Sequence, residues 1–119
     1  MKLSETISVF LTDEMADKFY YIAHIQNKTV SQLMRELIED YLENTTPNSE
    51  EPKYERYQYP IYTERVRCSI GVELKEALFN RARQERTEVS KLVRDIVKEF
   101  IKTLELSIYG QKKNSHILD

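Results

Sequence analysis

The 119-residue chain holds one cysteine, two glycines and three prolines. It has no apolar run near the roughly 20 residues that a membrane span needs. Each shortage excludes something. A lone Cys68 cannot form an internal disulfide, and it fits a reducing cytoplasm, the expected location. So few glycines and prolines leave long segments without breakers. The opening MKLSETISVF lacks the long apolar stretch of a signal peptide. His24, His116 and Cys68 are scattered, so neither a metal site nor a cofactor is expected. There is no nucleophile motif, phosphate loop or paired-carboxylate spacing, so the chain reads as a non-enzyme without a small-molecule substrate. Net positive charge is also lacking: 18 Lys and Arg stand against 20 Asp and Glu, a formal net charge of -2.

What is present is a repeat. Residues 6–42 align without a gap on residues 65–101 at a constant offset of 59. Ile7, Val9 and Leu11 fall on Val66, Cys68 and Ile70. Met15 and Phe19 fall on Leu74 and Leu78, and Val30, Leu33, Met34, Leu37, Ile38, Tyr41 and Leu42 fall on Val89, Leu92, Val93, Ile96, Val97, Phe100 and Ile101. Six pairs are identical: Glu14/Glu73, Ala23/Ala82, Val30/Val89, Ser31/Ser90, Leu33/Leu92 and Arg35/Arg94. A shared apolar pattern over a drifted surface marks a duplicated structural unit. Each 37-residue unit is too small to fold unaided, so the units must complete one another.

The periodicity changes once within each unit. Ile7, Val9 and Leu11 alternate with Thr6, Ser8 and Phe10, the two-residue period of a half-buried strand. Thr12 then offers an N-cap and Asp13 and Glu14 first-turn acids, while Met15, Phe19, Ile22 and Ala23 recur at helical spacing up to about Gln26. Asn27-Lys28 is a turn, Thr29 or Ser31 a second cap, and Leu33 to Leu42 a wide apolar stripe on a second helix. The second unit predicts a strand over 65–70, helices over 72–84 and 89–104, and a turn near Arg86-Thr87.

A lone strand followed by two helices can neither satisfy its backbone nor cover its apolar face. Pairing the two strands antiparallel solves both problems. The fold class expected is mainly α with a short β ribbon: an antiparallel two-stranded ribbon on four helices, one intramolecular pseudo-dimer. The outer face of the ribbon is left to solvent or a ligand.

Both units resemble the ribbon-helix-helix family of DNA-binding regulators, over about two thirds of the chain. TVSQLMRELIEDYL, from Thr29 to Leu42, and EVSKLVRDIVKEFI, from Glu88 to Ile101, resemble the family's second helix. The resemblance implies a ribbon in the major groove, alternate strand side chains on bases, and the second helix's N-terminus on a phosphate. The tandem form is similar to conjugation-relaxosome DNA binders and to regulators of archaeal filamentous viruses, the latter being nearer in general look. The glycine common in the family's inter-helix turn is absent; Asn27 and Arg86 stand there, and Arg tolerates the left-handed conformation less well than Asn.

The chemistry of such a ribbon follows from its side chains. Arg can contact guanine bidentately, and Ser or Thr can serve several base edges. The expected base-contacting set is Thr6, Ser8 and Phe10 on one strand and Arg65, Arg67 and Ser69 on the other. Phe10 either meets a thymine methyl or turns under the ribbon's edge and packs. The expected phosphate-contacting set, at the helix starts, is Thr29, Val30 and Ser31 with Val89, Ser90 and Lys91. Ser31 and Ser90 can equally be ordinary helix-start residues. Charge is unevenly spread: residues 1–45 hold four Lys and Arg against eight Asp and Glu, and residues 63–119 hold twelve against nine. The second unit should therefore supply most of the attraction to a polyanion.

The expected organisation is a first unit over 1–45, a Tyr-rich linker over 46–62, a second unit over 63–106 and a mobile tail over 107–119 beyond a helix stopped at Gly110. The linker carries Tyr54, Tyr57, Tyr59 and Tyr62, half of the chain's eight tyrosines. It either packs on exposed core edges or forms an interaction surface for another copy. The function expected is a transcriptional regulator, typically a repressor, whose partner is double-stranded DNA, with self-association on DNA. The alternatives are an antitoxin-type protein of the same family and a protein-interaction module that has lost DNA binding.

Overall fold

The computed structural model describes residues 3–47 and 62–117. Among these the chain is mainly helical, with four helices and one two-stranded antiparallel sheet. The order is β1 (Glu5–Leu11), α1 (Asp13–Ile25), α2 (Val30–Asn44), β2 (Glu64–Ile70), α3 (Val72–Gln84) and α4 (Val89–Ile117). No helix among the described residues is long and apolar enough to cross a membrane. Of the Tyr-rich linker, Tyr54, Tyr57 and Tyr59 lie outside the described residues.

The strands pair with Thr6 opposite Ser69, Ile7 opposite Cys68, Ser8 opposite Arg67, Val9 opposite Val66 and Phe10 opposite Arg65. Alternation does the rest: Ile7, Val9, Leu11, Val66, Cys68 and Ile70 are buried beneath the ribbon. The helices complete the core in matched pairs, Phe19 with Leu78, Ala23 with Ala82, Leu33 with Leu92, Met34 with Val93 and Ile38 with Val97. Among the buried hydrophobic residues described, only Ala16 and Ile101 lack a buried counterpart at the repeat offset. Burying each large aliphatic chain contributes roughly 1.5–3 kcal/mol, so the conserved pattern of apolar positions outweighs the drift of everything else.

Local chemistry sets the boundaries. Thr12 caps α1 by accepting from Met15 N–H at 3.1 Å, and Thr29, not Ser31, caps α2 by accepting from Gln32 N–H at 3.0 Å. Gly71 precedes α3 with no side-chain cap. Both inter-helix turns leave the first helix through a left-handed residue, Asn27 and Arg86, each with φ of 56°. In the first turn Lys28 N–H reaches Ala23 C=O at 2.9 Å and Asn27 N–H reaches His24 C=O at 3.1 Å. In the second, Thr87 N–H reaches Ala82 C=O at 3.0 Å and Arg86 N–H reaches Arg83 C=O at 3.2 Å. These are two Schellman ends with the same bonds. Arg86 therefore holds the geometry a glycine would hold, against the steric resistance of its Cβ.

The second helices end differently. α2 stops at Asn44, where Arg81 of α3, buried at 8% exposure, donates to Leu42 C=O at 3.1 Å and to Thr45 C=O at 2.9 Å. A cation on the last carbonyls completes orphan acceptors and opposes the helix dipole. The Arg81 counterpart in the first unit is Ile22, which can do neither, and α4 runs on to Ile117. It passes Gly110, where the sequence predicts a stop. Glycine ends a helix by taking positive φ, and no glycine among the described residues does so. In a helical conformation it only costs about 1 kcal/mol relative to alanine.

Candidate nucleic-acid interface

Because Ile7, Val9 and Leu11 of β1 and Val66, Cys68 and Ile70 of β2 point into the core, the residues that alternate with them share one outer face. Thr6, Phe10, Arg65, Arg67 and Ser69 are exposed there, and Ser8 is half-covered. All six expected base-contacting residues are thus brought together as three facing pairs. Phe10 is 43% exposed, so it stands out from the ribbon instead of packing under its edge. Arg65 Nε donates to Ser8 Oγ at 3.2 Å, which draws that guanidinium across the ribbon toward Arg67. Two cations and a hydroxyl therefore occupy the middle of the face.

The two ends of the ribbon carry acids at Glu5 and Glu64, on the positions that alternate with this face. At one end Glu5 is partnered by Lys75 at 3.4 Å. At the other, Glu64 opposite Leu11 meets Asp13, and the hydrogen bond and charge of that neighbour hold the Glu64 carboxyl above its ordinary range. A polyanion is favoured over the middle and disfavoured over this second end.

The helix starts flank the ribbon. A two-stranded sheet has two free edges, each with unpaired backbone groups. At β2 the Ser69 N–H donates to Ser31 Oγ at 2.8 Å, and Arg35 Nη1 donates to Ser69 C=O at 2.8 Å. Ser31 is therefore tied to the strand, and its side chain sets how α2's first turn meets the ribbon. At β1 the matching donor is Arg94, whose Nε reaches Phe10 C=O at 2.9 Å. Arg94 also lies 3.9 Å from the ring centroid of Tyr62. Of the other expected phosphate residues, Thr29 spends its oxygen on the helix cap, Val30, Val89 and Ser90 are half-buried at the helix starts, and Lys91 pairs with exposed Asp95 at 3.0 Å.

Arg35, Arg94 and Tyr62 carry no site assignment from the sequence. The signal for the arginines was there: they are an identical pair at partly exposed positions, on a surface that has otherwise drifted. Their target could not be read, since it lies on the opposite unit's strand. Among the described residues no group of His, Cys, Asp and Glu is arranged to hold a metal ion. Cys68 is buried under the ribbon, and desolvation pushes its thiol above the ordinary value, away from the reactive thiolate. No family model, no curated protein and no solved structure matches this chain, so what the ribbon does is read from its own geometry.

Proposed function

We propose that the chain is a sequence-specific double-stranded DNA-binding protein of ribbon-helix-helix type, acting as a transcriptional regulator, with β1 and β2 inserted together into the major groove. The observation that carries this reading is the outer ribbon face, where Arg65 and Arg67 stand exposed beside Ser8, Thr6 and Ser69 on a surface with no packing role. A two-stranded ribbon fits the major groove, and Arg, Ser and Thr are the side chains that read its edges. The helix starts on either side suit the two phosphate backbones.

We also propose that the two units form one intramolecular pseudo-dimer. Three matched details support it: strand pairing inside the chain, left-handed residues at Asn27 and Arg86, and arginine bonds from Arg35 and Arg94 to Ser69 and Phe10, all separated by the repeat offset. Selection of bound sequences from random duplexes, followed by titration of the winner across a salt series, tests the function. A discrete motif with affinity falling steeply as salt rises is expected. Absence of any enriched motif would favour the protein-interaction alternative.

A further inference from the structure

We infer that Arg35 and Arg94 are phosphate-binding residues that grip the DNA backbones on the two sides of the ribbon, and that Tyr62 preorganises Arg94 alone. The inference rests on the DNA-binding reading above and adds residues and an asymmetry to it.

Of the identical pairs, Ala23/Ala82 and Leu33/Leu92 are explained by burial, and Val30/Val89 packs against the same core. Arg35 and Arg94 are only partly buried, so burial does not explain them. Each instead spends one donor on the free edge of the opposite unit's strand, at 2.8 and 2.9 Å. The two acceptors, Ser69 and Phe10, are themselves equivalent positions. One bond to a carbonyl uses a small part of a guanidinium, which carries five donors in a planar fork. Among the described residues neither arginine forms an ion pair, whereas Arg81 does. Each is thus an anchored cation with spare donors, held beside the first turn of a helix whose dipole end also favours an anion. Bidentate phosphate contact is what such a fork suits.

Both anchors lie two residues from the ribbon's centre at Ser8 and Arg67, on opposite edges. A strand lying in the groove therefore has one arginine toward each phosphate backbone. The two grips differ in what else holds them: Arg35 Nη1 also reaches Ser31 Oγ at 3.5 Å. Arg94 is stacked on Tyr62, and the counterpart of Tyr62 is Leu3, which offers no π face. Stacking removes rotamer freedom before DNA arrives, so the second unit holds its phosphate at lower entropic cost.

The test measures affinity of full-length protein for its selected duplex across a salt series, with melting of the free protein alongside. Arg35→Gln and Arg94→Gln should each lower the slope of log affinity against log salt by about 1, with Arg94→Gln weakening binding more. Arg35→Lys and Arg94→Lys should keep the wild-type slope. Tyr62→Phe should bind as wild type, and Tyr62→Ala should lose roughly two- to fivefold in affinity at unchanged slope. Glutamine variants that melt lower yet keep the full salt slope would show that the arginines only brace the strand edges. Wild-type protein that binds no duplex overturns the DNA reading itself, and this assignment with it.

Discussion

Ser8 lies directly opposite Arg67 in the ribbon, and the two are the same position of their units, 59 residues apart. Any two-fold axis relating the units must pass between them. The chemistry at that axis is unequal: one side presents a small hydroxyl, the other a guanidinium. Two residues out, Phe10 faces Arg65 where Thr6 faces Ser69. The backbone pairing is symmetric about this point, and the outer face is not.

A single copy should accordingly select a non-palindromic core, with guanines clustered under Arg65 and Arg67 and tolerant positions under Thr6 and Phe10. Sequence selection followed by footprinting checks this. Inverted halves protected by one chain would contradict the assignment, while a palindrome spanning two bound copies would not.

Replacing Arg65 and Arg67 by Ala should abolish specific binding and leave melting almost unchanged. Each bidentate base contact is worth roughly 1–3 kcal/mol, and exposed strand residues contribute little to stability. Calorimetric melting beside a binding titration separates the two effects.

Tyr41 joins the units through a buried polar cluster: its hydroxyl donates to Glu85 at 2.7 Å, and its ring lies 5.3 Å from the Arg81 guanidinium carbon. Burial, followed by the Glu85 carboxylate, raises the phenol above its ordinary value. A raised folded-state value contributes stability that is complete below pH of about 10 and is lost as pH rises through the folded value. Tyr41→Phe should cost about 1–2 kcal/mol at neutral pH by leaving Glu85 short of a donor. It should also remove one late-titrating phenol from the ultraviolet pH titration.

Arg86 at positive φ carries strain that glycine would not. Arg86→Gly should stabilise by about 0.5–1 kcal/mol, the left-handed penalty less the extra entropy lost by glycine. Asn27→Gly should gain less, because Asn tolerates that conformation. Urea midpoints at constant m value give both numbers.

If the units complete one core, full-length protein should melt at a temperature independent of its concentration, as a monomer. Isolated residues 1–46 should be unfolded or self-associated, with an unpaired strand edge and a bare apolar face. Concentration-dependent melting with a dimer as the smallest folded species would point to pairing between chains.

The sequence by itself determined the elements, their order and the inward face. Those follow from local periodicity: the two-residue alternation of Ile7, Val9 and Leu11, the helical stripes and the cap at Thr12 depend on neighbours a few residues away, whereas the choice of Thr29 over Ser31 as the second cap came from the structure. It also separated the outer ribbon residues from the inner ones, because a strand has only two faces. Tertiary structure alone decided the register that puts Ser8 against Arg67, the bonds from Arg35 and Arg94 to the other unit's strand, and the capping of α2 by Arg81. These contacts join residues 34 to 84 positions apart. No local pattern encodes them, since a free strand carbonyl or an orphan helix end accepts from whichever donor the packed core carries to it.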